Sequence, residues 1–105
     1  MKPSSNAAAP SPISVVHNAA AQRFEAHIEG HLAFAEYRVT ERAGTPVMAM
    51  FHTESPAALQ GRGVAAALVK AALAHAQAHS WKVDPQCSYV AAYMDRHPET
   101  QLLRA

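Results

Sequence analysis

The sequence predicts an α/β (α+β) domain: a mixed, mostly antiparallel five-stranded sheet with helices flanking it. Three observations predict this. A clean alternation at 23–28 runs into a tight-turn signal, Glu29-Gly30. A continuous apolar run covers 47–53. A glycine turn, Gln60-Gly61-Arg62-Gly63-Val64-Ala65, opens a long alanine-rich segment, and Trp81-Lys82-Val83 follows as strand material. Hairpins come first in this order, and a strand reached through a helix should lie parallel to the one before it.

Each element has its own warrant. Residues 13–16 form a short apolar run and an expected first strand. In 23–28, Phe24, Ala26 and Ile28 face one way and Arg23, Glu25 and His27 the other, the period of a half-buried strand. After Glu29-Gly30 the chain should return antiparallel over 32–40. Gly44 and Pro46 mark 41–46 as a second hairpin loop. The apolar run at 47–53 fits a central strand buried on both faces. Ser55-Pro56 starts a turn ahead of the glycines.

A helix is expected over 64–79. Val64, Ala65, Leu68, Val69, Ala72, Leu73 and Ala76 cover one broad arc, with Lys70, Ala74 and Gln77 opposite. A short strand at 81–83 stops near Pro85. A second helix spans 87–97 and ends before Pro98, and a short terminal helix occupies 98–104. Trp81 and Phe34 read as core residues.

Composition bounds the function. A chain of 105 residues supports one modest core. Residues 1–12 are Ala/Ser/Pro-rich and carry no apolar run of the signal-peptide kind, so a disordered tail is expected ahead of a single domain at 13–105. No stretch approaches the roughly 20 apolar residues of a membrane span. The single cysteine, Cys87, excludes an internal disulfide and points to a reducing, cytoplasmic setting. A formal net charge of +1 without a basic stripe gives no electrostatic case for nucleic acid. The seven histidines do not make a metal site on sequence grounds. No His-Glu-x-x-His occurs, and only Cys87 could supply sulfur.

The ligand argument therefore rests on the glycine turn. A turn that opens a helix leaves the first backbone N–H groups of that helix without partners. With the positive end of the helix dipole they form a site for a phosphate or pyrophosphate. Glycines let a ligand approach the backbone, and Arg62 adds a cation. The order is neither Walker A, since no Gly-Lys-Ser/Thr follows, nor Gly-x-Gly-x-x-Gly. It reads Gln-x-x-Gly-x-Ala.

Strand, Gln-x-x-Gly-x-Ala turn, helix, strand and helix together resemble the acetyl-CoA-binding core of the GNAT N-acetyltransferase superfamily. The chain is most similar to its short single-domain, acetyltransferase-like members. The residues carrying the resemblance are His52-Thr53-Glu54, Leu59-Gln60-Gly61-Arg62-Gly63-Val64-Ala65, Lys82-Val83-Asp84-Pro85-Gln86-Cys87-Ser88-Tyr89-Val90 and His97-Pro98-Glu99, within about 14–103. Ser55 stands where the short members usually carry an apolar residue.

The resemblance implies a GNAT-like sheet whose central parallel pair splays into a cleft. It implies acetyl-CoA as cosubstrate, no metal, and an N-acetyltransferase acting on a primary amine of an unidentified small molecule or protein. Backbone groups of Gln60, Gly61, Arg62, Gly63, Val64 and Ala65 would grip the pyrophosphate. Main-chain groups of Phe51, His52 and Thr53 would bond the pantetheine arm as an added strand.

Acetyl transfer needs a neutral amine, a polarised carbonyl and a protonated leaving thiolate. Glu54 or His52 is the candidate base; otherwise His52 is an edge-strand polar residue and Glu54 caps the following turn. Cys87, at the expected start of the second helix, is the candidate nucleophile, or else a small buried hydrophobe. Tyr89 and Tyr93 are four apart on one helix face, and Tyr93 is taken as the candidate donor to the CoA sulfur, against a packing role. Arg96 and His97 could meet the adenosine phosphate or simply end the helix in solvent.

In larger relatives two helices between the first two strands cover the acceptor, and 18–22 leaves no room for them. The acceptor would then be a flexible chain end, or a protein partner or second copy would complete the site. The alternative function is a non-catalytic CoA-binding or protein-interaction module.

Overall fold

The computed structural model describes residues 13–105. The tail expected over 1–12 lies outside the described residues. The elements run β1 (Val16–Asn18), β2 (Arg23–Ile28), β3 (His31–Arg42), β4 (Thr45–Glu54), a 3-10 turn (Ala57–Leu59), α1 (Val64–Ala78), β5 (Lys82–Pro85), α2 (Ser88–Arg96) and a 3-10 segment (Pro98–Leu103). One five-stranded sheet has the order β1-β2-β3-β4-β5, antiparallel until the parallel β4–β5 pair. This is the mixed α/β sheet expected. The parallel pair lies to one side of it, because β5 is followed only by the isolated Val83–Arg104 bridge. Among the described residues no helix is long and apolar enough to cross a membrane.

Both long hairpins turn in two residues. Glu29 and Gly30 have φ of 53° and 80°, and Ala43 and Gly44 have 52° and 84°. Two successive positive-φ residues make the type I′ turn whose twist matches that of the strands. The loop expected over 41–46 is therefore only Ala43-Gly44, with β3 and β4 running on into it. Pro46 fits inside β4, near the start of the strand. The first strand begins at Val16, later than expected. Ile13 and Val15 pack on the core, while the backbone pairing continues into the polar His17 and Asn18. Asn18 then shapes the turn, its Oδ1 accepting from the Ala21 N–H at 3.1 Å.

The core lies between the sheet and α1 with α2. Phe24, Ala26, Ala33, Ala35, Tyr37, Met48 and Met50 face Leu68, Val69, Ala72, Leu73, Val90 and Met94. Val64, Leu68, Val69, Ala72, Leu73 and Ala76 of α1 are buried, as the apolar arc predicts. Residues 47–50 are buried on both faces, but beyond Met50 burial is partial.

That change coincides with an irregularity. Glu36 pairs with His52, yet Tyr37 pairs with Met50, so Phe51 is an extra residue in β4. Ala33, Ala35 and Tyr37 belong to the helix-side core, which puts Phe34 and Arg38 on the other face. Phe51 lies under Arg38 at 4.8 Å, and His52 lies beside Phe34 at 5.9 Å. The bulge thus aims two consecutive residues away from the helices and returns Thr53 towards them. β5 pairs only with 47–50, and the last β5-side bond runs from the Cys87 N–H to the Met50 carbonyl at 2.9 Å. β4 continues to Glu54 paired with β3 only, so β4 and β5 part where the resemblance requires it.

Candidate functional site

A cleft of about 590 Å³ opens beside this parting. Thr53, Glu54 and Ser55 line one side, Leu59, Gln60, Gly61 and Gly63 to Ala66 the other, and Tyr89 borders it from α2. Its size falls in the roughly 300–1,000 Å³ range of small-molecule sites.

The glycine turn forms one end. Gly61 and Gly63 have φ of 78° and 77°, left-handed conformations that glycine adopts without strain. A Cβ at either position would meet nothing within 4 Å, so the space before the turn is open. Gly63 is the N-cap of α1 and supplies no side chain to it. The first helical bond runs from the Ala67 N–H to the Gly63 carbonyl at 3.0 Å. The N–H groups of Val64, Ala65 and Ala66 precede that ladder, and no acidic residue occupies the first turn. The arrangement offers uncapped donors and a positive dipole end to an anion. Leu59, 1 % exposed, anchors the loop in the core.

Arg62 does something other than add a cation to this end. Its two terminal nitrogens each donate to a Glu29 carboxylate oxygen at 3.1 Å, and it contributes no wall to the cleft. The pairing holds the Glu29 carboxyl below its ordinary range, first through the hydrogen bonds and then through the guanidinium charge.

The other end carries the reactive groups. Glu54 lines the cleft, and its Oε1 lies 3.1 Å from His52 Nε2, with both side chains well exposed. His52 sits on the face away from the helices, and Glu54, two residues on along β4 and paired with Phe34, shares that face at the strand's end. Cys87 is the N-cap of α2, with its sulfur 3.6 Å from Thr53 Oγ1. Burial pushes its thiol up. Hydrogen bonds to the Thr53 hydroxyl and to backbone at Val90, Tyr89 and Thr53 outweigh that, and the thiol ends below its ordinary range.

The sequence-predicted residues are therefore only partly gathered. Thr53, Glu54, Gln60, Gly61, Gly63, Val64 and Ala65 line the cleft. Cys87 touches it through Thr53, and His52 through Glu54. The Phe51 side chain points away, under Arg38, whereas the expectation there concerns its main chain. Tyr93 lines a separate pocket with Lys70, Leu73 and Gln77 and stacks on His97, ring centroids 4.0 Å apart. Tyr89, not Tyr93, faces the cleft. The two do share a helix face, but four residues advance the chain about 6 Å along the axis, and the cleft reaches only the first turn. Arg96 and His97 sit at the far end of α2 from the cleft. Among the described residues no group of three or more His, Cys, Asp or Glu side chains is placed to hold a metal ion.

Comparison with known proteins agrees with this geometry. The family described as GCN5-related N-acetyl-transferase matches residues 23–103, which hold β2 through the terminal 3-10 segment. The chain belongs to that family.

It is 33 % identical over 92 residues to Protein NATD1 of Gallus gallus and of Mus musculus, covering 88 % of this chain and 83 % of each relative. Protein NATD1 of Homo sapiens is similar at 33 % over 92 residues, with 80 % of its length covered. Members of the family generally use acetyl-CoA, and this chain is a GNAT domain of the general acetyltransferase type. The family match ends at Leu103, so it includes the cleft and both walls of it.

Proposed function

We propose that this chain transfers the acetyl group of acetyl-CoA to a primary amine of a small molecule or protein. The single observation that carries the reading is the cleft itself. It joins an uncapped helix N-terminus to the point where β4 loses its β5 partner, with Glu54 on its wall. The pyrophosphate sits on the N–H groups of Val64, Ala65 and Ala66. The pantetheine arm runs along the end of β4 on the edge that β5 leaves, bonding main-chain groups near His52 and Thr53 in strand-addition fashion.

An acceptor amine with pKa ~10.4 is mostly protonated at neutral pH and must lose a proton before it attacks. Glu54, bonded to His52, takes that proton through a water. The amine attacks the thioester carbonyl, and the departing CoA sulfur takes a proton from the Tyr89 hydroxyl. The short 18–22 connection leaves the acceptor side to the substrate itself, a partner protein or a second copy. A reducing cytoplasm would keep Cys87 a thiol.

A second reading is favoured by the lowered Cys87 thiol. Its thiolate attacks the thioester, the CoA thiolate leaves, and the acceptor amine then takes the acetyl from Cys87 and restores the thiol. Replacing Cys87 with Ala separates the routes. Retained turnover supports direct transfer, and loss of turnover with intact acetyl-CoA binding supports the relay.

The test of function is release of free CoA from acetyl-CoA in the presence of polyamines, peptides and proteins. Release with an amine, matched by its acetylation, is expected. Binding without release across the panel would favour the non-catalytic CoA-binding module. No calorimetric heat and no thermal shift at millimolar acetyl-CoA would contradict both.

A further inference from the structure

Glu29 and Arg62 are 33 residues apart in sequence, yet they meet in a two-pronged ion pair that ties the β2–β3 turn to the glycine turn. Three features bear on its role. Both side chains are exposed, and exposed pairs of this kind add little to folding stability. The turn does not need the carboxylate, because Ala43-Gly44 makes the same turn without one. Glu is also not a favoured residue at its φ of 53°. Meanwhile the guanidinium fork that Glu29 occupies is the group best shaped to take two phosphate oxygens. Arg62 lies between two left-handed glycines with open space around both, next to the N–H groups that face the cleft.

We infer that Glu29 sets the affinity of this site for phosphate-bearing ligands by holding Arg62 out of the cleft, an internal carboxylate standing in competition with the ligand's phosphate. This rests on the acetyl-CoA reading above. A ligand that recruits Arg62 must first break the pair, and one that does not recruit it binds through backbone donors alone. In both cases the cation is withheld from the free site. The contact lowers affinity while leaving the fold unaffected, and it concerns only the phosphate end of the ligand. A ligand made of the pantetheine end alone should not sense it.

The experiment uses the full chain in three forms: wild type, Glu29→Gln and Glu29→Gln/Arg62→Gln. CoA and acetyl-pantetheine, which lacks phosphate, are titrated calorimetrically. Glu29→Gln should bind CoA about three- to tenfold more tightly than wild type, the gain of a freed guanidinium at an exposed phosphate. The double variant should lose that gain, and acetyl-pantetheine should bind all three alike. Equal or weaker CoA binding by Glu29→Gln overturns the inference alone, as does a gain that survives in the double variant or appears with acetyl-pantetheine. Absence of CoA binding by all three overturns the acetyl-CoA reading and this inference with it.

Discussion

The Cys87 sulfur lies 3.6 Å from the Thr53 hydroxyl oxygen, across the gap that opens where β5 leaves β4. The contact is made possible by the Phe51 bulge, which turns Thr53 back to the helix side. It joins the last residues of one strand to the N-cap of α2, and it polarises the thiol. Alkylation of Cys87 by iodoacetamide, followed against pH, should show a midpoint below the ~8.5 of a free cysteine. Thr53→Val should move that midpoint upward. A midpoint unaffected by the substitution would show that the hydroxyl does not act on the sulfur.

Gly63 should be far less replaceable than the open space around it suggests. A Cβ there clashes with nothing, so the cost of Gly63→Ala is conformational, about 1 kcal/mol for a left-handed alanine. That corresponds to a melting temperature about 4–8 °C lower. Relaxation of φ would also redirect the N–H groups that follow, and acetyl-CoA affinity should fall. Gly44→Ala, at φ of 84° in a turn away from the cleft, should lower the melting temperature to a similar degree without altering affinity. Thermal denaturation and calorimetry on the two variants distinguish turn strain from loss of the site.

Glu54→Gln keeps the size of the side chain and its contact distance to His52 but removes the base. On the direct-transfer route kcat should fall roughly 10²-fold, with a much smaller change in the KM for acetyl-CoA. Steady-state kinetics with any acceptor found in the CoA-release screen decides this. A kcat within a few-fold of wild type would move the base to His52 or to solvent.

A second set of groups predicts acid sensitivity of the fold. His17 stacks on Phe24 with centroids 4.3 Å apart and meets the His75 edge at 4.4 Å, and His75 stacks on His79 at 4.0 Å. Burial first, and then the neighbouring His79, hold His17 below its usual value. Burial, His79 and His17 do the same to His75. An imidazole with a depressed pKa in the folded state takes its proton more readily when unfolded, so the unfolded chain is favoured as pH falls. Stability should be full above about 6.5 and lost as pH drops through the folded values. The melting temperature should therefore decline from roughly pH 7.5 to 5.5, and His75→Gln should flatten the decline. An equal decline in that variant would place the sensitivity elsewhere.

Much of the fold was legible from residue periodicity. The alternation at 23–28 and the apolar arc on α1 report directly on which side chains meet the core, and both elements stand where they were expected. What periodicity does not encode is backbone pairing without apolar side chains, so the apolar run at 13–16 points to a strand there while β1 starts at Val16 and continues over the polar His17 and Asn18. The hairpin at Ala43 was obscured because its left-handed first residue is an alanine. In the site, the glycine turn is readable because its two positive φ angles favour glycine. The Phe51 bulge left no mark in composition, and it decides which of Phe51, His52 and Thr53 can face the cleft. Proximity in sequence puts Arg62 beside the ligand's turn. In the structure it pairs with Glu29, which has a sufficient local explanation as a turn residue, and no local pattern points from one to the other. Spacing along a helix gives the face that Tyr89 and Tyr93 share and not the depth at which a cleft ends, so it does not separate Tyr89, on the cleft, from Tyr93, on another pocket.

The central claim is that backbone N–H groups at the head of α1 hold the diphosphate of acetyl-CoA. Titration of acetyl-CoA into isotopically labelled protein, read by amide nuclear magnetic resonance, tests it residue by residue. The account predicts that the Gly63, Val64, Ala65 and Ala66 amide protons shift downfield and saturably, and that acetyl-pantetheine leaves them nearly in place while moving Thr53 and Glu54. Saturable binding that leaves those four amides unmoved would contradict it.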